Sequence, residues 1–236
     1  DDALAMKVGV ELGRPGNEAD AVLFWLPGPG EVPEEHAPWL TRLTDQFQGL
    51  RVLILKPRLG QKWYDISDRQ AVKLGLRFYV LDDVEENIEG DPSKMGRGGL
   101  VFPALSTEEI EALQQVESAA LALARRAVIE EKGLRPLPRS AQRSRLPFFF
   151  GGFGQGGSVA LFTAICLMPK PICGVAFSHS GVPVAAMLGK RLSEDTRKYT
   201  QLYAVYETKD DQVPADYAEA LCKMFDRLDC QVELQW

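Results

Sequence analysis

The sequence predicts an α/β domain, a mostly parallel central sheet with helices on both faces. Two observations carry this. Apolar runs at Ala21–Leu26, Arg51–Lys56, Phe148–Phe150, Ile172–Phe177, Leu202–Tyr206 and Val232–Trp236 are separated by stretches that include helically spaced apolar residues. Strands that alternate with helices close into a parallel sheet through right-handed crossovers. The second observation is local: three consecutive phenylalanines, Phe148–Phe150, run into a glycine cluster and then into Val159–Ile165. An uninterrupted apolar strand is one buried on both faces, the glycines fit a cramped turn, and the run beyond has helical length. At 236 residues the chain suits one large domain with a generous core, and residues 1–236 are taken as one unit.

Taken in order, Met6–Leu12 alternates weakly and fits a first, edge strand, and Arg14-Pro15-Gly16-Asn17 is turn chemistry. Ala21–Leu26 reads as a central strand stopped by Pro27-Gly28-Pro29-Gly30. Trp39, Leu40, Leu43 and Phe47 recur at helical spacing over 34–47, and Arg51–Lys56 is the next strand. The pattern then loosens. Residues 67–105 hold a strand-like piece at Leu76–Leu81, an acidic stretch and Met95-Gly96-Arg97-Gly98-Gly99, and are read as an insertion. Ser106-Thr107-Glu108-Glu109 has the capping-box pattern and opens a long helix with Ile110, Leu113, Val116, Leu121, Ala124, Val128 and Ile129 on its apolar face, ended by Gly133. After the phenylalanine strand come strands at Ile172–Phe177 and Leu202–Tyr206, a helix at Ala215–Leu228 and a last strand at Val232–Trp236.

Composition narrows the function classes. Apolar content of 45% and charged content of 25% are those of an ordinary globular protein. A formal charge of −6 argues against a nucleic-acid partner, which calls for a basic face. The local cluster Arg135, Arg139, Arg143 and Arg145 lies among prolines and reads as a solvated loop. Cys166, Cys173, Cys222 and Cys230 have no metal-ligand spacing and form no Cys-x-x-Cys, so no metal and no cofactor is expected, and a reducing interior compartment is the default. No apolar run reaches the ~18 residues of a membrane span. The first residue is Asp1, not methionine, which leaves room for a removed leader.

The turn after the phenylalanines deserves closer reading. Strand, tight glycine turn and helix is the setting of the nucleophile elbow, Gly-x-Ser-x-Gly. The frame Gly152-Phe153-Gly154-Gln155-Gly156 keeps both outer glycines and has Gly154 where the serine would stand. Ser158, four residues on, is a full helical turn past the point of attack and reads as a helix serine that faces solvent or bonds a backbone carbonyl.

Gly151-Gly152-Phe153-x-Gln155-Gly156-Gly157 resembles the Gly-Gly-Phe-Ser-Gln-Gly-Gly elbow of the acyl-protein thioesterases and related small carboxylesterases. Phe24-Trp25-Leu26-Pro27-Gly28-Pro29-Gly30 is similar to that family's Phe-Leu-His-Gly-Leu-Gly loop, and Lys62-Trp63-Tyr64-Asp65-Ile66 to its Ser-Trp-Phe-Asp-Ile motif. Gly174-Val175-Ala176-Phe177-Ser178 resembles the following strand, and Asp210-Asp211-Gln212-Val213-Pro214 the Asp-Pro-x-Val-Pro segment that carries the family's acid. The resemblance runs from about Ala21 to the C-terminus. It implies an α/β-hydrolase fold with the phenylalanine strand central.

The same resemblance assigns the chemistry position by position. The nucleophile position is Gly154, and the acid position is Asp210, read here as a solvated loop carboxylate. The oxyanion donors are the N–H of Gln155 and that of the residue at Pro29, which has none. The family's histidine follows the last strand, beyond Trp236, so the base is expected either past that point or not at all. Of the two histidines present, His179 sits at a strand's C-terminal end, where α/β sheets place their sites, and reads as a loop histidine with a local hydrogen bond; His36 reads as a solvated residue at a helix start.

Loss of a nucleophile and a backbone donor at separate places points to a pseudo-hydrolase, a structural or scaffolding subunit of a larger protein assembly. Its partner contacts are expected at the additions to the basic fold, 67–105 and 135–147. Two other readings stay open: a module that binds an acyl or lipid group, and an active thioesterase or carboxylesterase seen as a variant without its nucleophile.

Overall fold

The computed structural model of the protein describes residues 5–57, 60–75, 105–134, 146–183 and 192–236. Among the described residues seven strands form one sheet: β1 (Val8–Gly13), β2 (Ala21–Leu26), β3 (Leu50–Leu55), β4 (Leu146–Phe153), β5 (Ile172–Ser178), β6 (Gln201–Val205) and β7 (Gln231–Gln235). Their order is β1-β3-β2-β4-β5-β6-β7, with β1 antiparallel to β3 and the other pairs parallel. The phenylalanine strand β4 therefore holds the middle place. Its C-terminal end, like those of β2, β5 and β6, opens toward one edge of the sheet, where such folds bind ligands.

The helices are α1 (Pro33–Gln46), α2 (helical over 68–75), α3 (Thr107–Gly133), α4 (Gln155–Phe162, continued by a π turn at Thr163–Leu167), α5 (Glu194–Tyr199) and α6 (Ala215–Arg227). The larger core cluster lies on one sheet face and joins Phe24, Phe148, Phe150, Val175 and Phe177 to α2, α3, α4 and α6. A smaller cluster of Leu23, Val52 and Ile54 packs under Leu40 of α1 on the other. This second cover is partial. Phe149, in register with Leu23, is 38% exposed, as are Tyr203 and Val205 farther along the same face. The three phenylalanines are thus not all buried, because α1 lies over β1 and β3 and leaves that side of β4 and β6 partly open.

The start of α3 follows the sequence: Ser106 accepts from the N–H of Glu109, and Glu109 reaches back to the N–H of Ser106. Its buried face does so only in part. Val116 is buried and Leu113 packs against the core as expected, but Ile110, Leu121 and Val128 are exposed, whereas Ala112, Ala119, Ala120, Leu123 and Ala127 are buried. Small side chains let the helix backbone lie close to the core, and that packing outweighs the larger side chains on the opposite side. Glu130, on the buried side, is held by Arg51 of β3 and by Arg126 one turn back.

Part of the segment expected to be an insertion, 67–105, is built into the core of the sheet domain. Ala71, Val72 and Leu74 of α2 belong to the main core. The remainder of that segment (76–104) and residues 135–145 lie outside the described residues.

Candidate functional site

Gly154 terminates β4 and caps α4 with φ +52° and ψ −123°. A residue with a Cβ is strained there and glycine is not. Its N–H donates to the carbonyl of Ser178 at 2.8 Å, which ties the turn to the end of β5. Two residues on, a Cβ on Gly156 would collide with the carbonyl oxygen of Leu26, so α4 can pass this close to β2 only with glycine there. The glycine cluster thus forms the tight strand-to-helix turn that the sequence predicts, and the first N–H of α4, that of Gln155, has no helical partner of its own.

The Gln155 side chain is buried and points across to the loop before α2. Its oxygen accepts from the N–H groups of Trp63 (3.0 Å) and Tyr64 (3.4 Å), and its nitrogen donates to the carbonyls of Tyr64 (3.1 Å) and Ile66 (2.8 Å). The indole N–H of Trp63 donates to the carbonyl of Pro27 at 2.7 Å. Three of the sequence motifs are therefore physically joined, with the Trp63–Ile66 loop clamped between the elbow and the Pro27–Gly30 loop.

That first loop has no spare donor. Pro27 and Pro29 lack an N–H. The N–H of Gly28 donates to the Glu31 carboxylate, and the N–H of Gly30 to the carbonyl of Gln61 at 2.8 Å. Glu31 in turn bonds Nε2 of His36 at 3.1 Å, while the Trp25 indole donates to His36 Nδ1 at 3.1 Å. His36 is consequently buried, against the solvated position expected of it; the aromatic pair Trp25 and Trp39 flanks its ring.

A residue that the sequence reading passed over lies at the centre. Asp68 is the first residue of α2. A Cβ built on Gly154 would stand 3.1 Å from its Oδ2 and 3.2 Å from Cδ of Pro29. The other oxygen, Oδ1, is buried with no hydrogen-bond partner among the described residues. Burial, reinforced by the nearby charge of Asp210, pushes the Asp68 carboxyl up to about 7. A signal for it exists in the sequence: Ser67 and Gln70 form a reciprocal cap, with the Gln70 N–H donating to Ser67 Oγ and the Ser67 N–H to Gln70 Oε1. That pattern starts a helix directly after the Trp63–Ile66 element and aims its first residue at the elbow.

Asp210 lies on the β6–α6 loop, and its side chain is only 11% exposed. It is not a solvated carboxylate: Oδ1 accepts from the N–H groups of Gln212 (2.7 Å) and Val213 (3.0 Å). His179 follows β5 with φ +51°. Its Nδ1 pairs with Ser178 Oγ at 2.6 Å, the local bond expected, and its ring stacks on Phe153. Its Nε2 faces Glu207 at 3.8 Å and Asp210 at 4.0 Å, beyond hydrogen-bond length. Ser158 is fully buried, with Oγ donating to the carbonyl of Gly181 at 2.9 Å, so it bonds backbone rather than facing solvent. The structure thus brings Pro29, Gly154, Gln155 and Asp210 to one sheet edge and adds Asp68 and His179. Among the described residues no cluster of histidine, cysteine and acidic side chains is arranged to hold a metal ion.

No family model matches the sequence, and no curated protein matches it significantly. Solved structures do match in shape. Esterase PE8 superposes with a TM-score of 0.64 at 15% identity, over 97% of this chain and 87% of that one. A phospholipase/carboxylesterase from Dyadobacter fermentans gives 0.60 at 13% identity, over 98% and 87%. An acyl-protein thioesterase 2 from Zea mays gives 0.56 at 14% identity, over 94% and 87%. The fold is that of an α/β-hydrolase. At these identities the likeness fixes the architecture of the chain and leaves its chemistry to its own residues. Burial pushes the Cys222 and Cys230 thiols up to about 11, in keeping with small apolar fillers. No helix among the described residues is long and apolar enough to cross a membrane.

Proposed function

We propose that this chain is a catalytically inactive α/β-hydrolase that serves as a structural or scaffolding subunit of a larger protein assembly. The observation that carries the reading is the surroundings of residue 154. The place of a serine hydroxyl is faced by the Asp68 carboxyl and the Pro29 ring, and each backbone N–H of the adjoining loop is absent or already bonded. Acyl transfer needs an activated nucleophile and donors aimed at the developing oxyanion. Loss of the nucleophile of a serine triad alone lowers turnover on the order of a millionfold.

A carboxyl held against the elbow is also a poor lining for an acyl chain, because a polar group without a partner is costly to bury. This disfavours a module that binds an acyl or lipid group in the same cleft. A fold kept without its chemistry is kept for its surfaces, and the segments 67–105 and 135–147 remain the proposed partner contacts. The test is crosslinking of the native assembly followed by mass spectrometry. Crosslinks concentrated in 76–104 and 135–145 support the proposal; crosslinks confined to the exposed faces of α1 and α3 would move the interface elsewhere.

A further inference from the structure

The geometry around Asp68 points to a device rather than an empty place. We propose that Asp68 is a proton-operated closure of this site: neutral, its carboxyl stays lodged against Gly154 and Pro29; ionised, it is repelled by Asp210 and the start of α2 draws away from the elbow. The inference rests on the non-catalytic reading, since only a site without a nucleophile leaves that space to a carboxyl.

Three features of the geometry support it. The missing side chain at 154 leaves room for Asp68, whose Oδ2 lies 3.1 Å from where a Cβ would stand, while Oδ1 has no hydrogen-bond partner among the described residues, so on that oxygen no donor holds the ionised form. Among the described residues, the groups facing Asp68 offer no compensating charge. Asp210 approaches from the β6–α6 loop, and its field acts on Asp68. Tyr64 from the preceding loop, Tyr206 beyond β6 and Tyr217 from α6 are buried phenols that burial keeps neutral and that feel the Asp68 charge. His179 directs Nε2 toward Glu207 and Asp210. The third feature is that Asp68 is the first residue of α2, between the core residues of that helix and the loop before it. The reciprocal Ser67–Gln70 cap holds within α2, whereas the clamp of Gln155 on 63–66 lies just before it and marks the hinge.

A carboxyl raised to about 7 changes charge within the range of cellular pH. Below that point the closed arrangement is neutral, and above it two carboxylates share a water-poor edge. Opening is thus favoured by rising pH.

The experiment is hydrogen exchange by mass spectrometry on the whole chain from about pH 5.5 to about pH 8.5, with rates corrected for intrinsic exchange. For the wild type, exchange in 60–75 is expected to rise on the order of tenfold through a transition near neutrality, while β4 and β5 amides stay protected. Asp68→Asn keeps the neutral shape and is expected to remain slow with no transition. Asp210→Asn is expected to shrink the transition. A wild-type profile without a transition, or an Asp68→Asn profile that keeps it, would overturn the proposal. Turnover plays no part in these readouts. A flat profile would leave the non-catalytic reading standing, and measured hydrolysis would remove that reading whatever the exchange shows.

Discussion

Asp68 and Gly154 meet at the elbow, a carboxylate oxygen of the first standing 3.1 Å from where a side chain on the second would begin. The two positions are read together for that reason. A residue larger than glycine at 154 must share its space with a carboxyl, and the carboxyl has its present place because residue 154 does not extend into it. The pair brings the start of α2 up to the end of the central strand, at the point where the α/β-hydrolase fold places a nucleophile.

Gly154→Ser is expected to restore no appreciable turnover of short-chain esters or acyl thioesters, and no labelling by a serine-directed phosphonate. The new hydroxyl would sit between Asp68 and Pro29, and one missing oxyanion donor alone withholds ~2.7–4 kcal/mol of transition-state stabilisation. Moving from glycine to a side chain at φ +52° should also lower stability by on the order of 1 kcal/mol. Intact-mass analysis after probe treatment checks the first claim, and urea unfolding the second.

Asp68→Asn should stabilise the protein, and more so as pH rises. The folded carboxyl holds its proton up to about 7, whereas the unfolded one releases it near its ordinary value of 3.8. Wild-type stability relative to the variant therefore falls as pH rises from about 4 to about 7 and is level above that. The full difference is on the order of 4 kcal/mol at pH 8. Denaturant unfolding of both proteins at pH 5 and pH 8 measures it; an equal gap at the two pH values would contradict the assignment.

Gln155→Leu should destabilise by about 2–4 kcal/mol, since it leaves the buried N–H groups of Trp63 and Tyr64 and the carbonyl of Ile66 without partners. The loss should appear first as faster exchange in 60–75, ahead of any change in the strands. Thermal unfolding together with exchange of that peptide tests it.

Much of this was legible in the sequence, and the parts that were not have definite physical causes. The strands and the tight turn at Gly154 follow from local chemistry, because continuous apolar runs and glycines constrain the backbone where they stand. The buried face of α3 was misread in part, because apolar size suggested Ile110, Leu121 and Val128 whereas close packing favoured the alanines. His36 was expected in solvent from its polar helix start, and Asp210 because no partner for it was assured. The partners that bury them, Trp25 and Glu31 for one and the Gln212 and Val213 amides for the other, depend on turns whose geometry a residue pattern does not specify. Asp68 was missed because its role depends on contact with residue 154, and such a long-range meeting leaves no periodic trace. Its helix-start signal at Ser67 and Gln70 was the one local clue.

The measurement that bears most directly on the central claim is a sensitive assay of ester and acyl-thioester hydrolysis by the purified wild-type chain beside Asp210→Ala. The account predicts rates indistinguishable from the uncatalysed background for both proteins. Turnover above background that Asp210→Ala abolishes would contradict it, because that result would mean that this sheet edge still carries out the chemistry of an α/β-hydrolase.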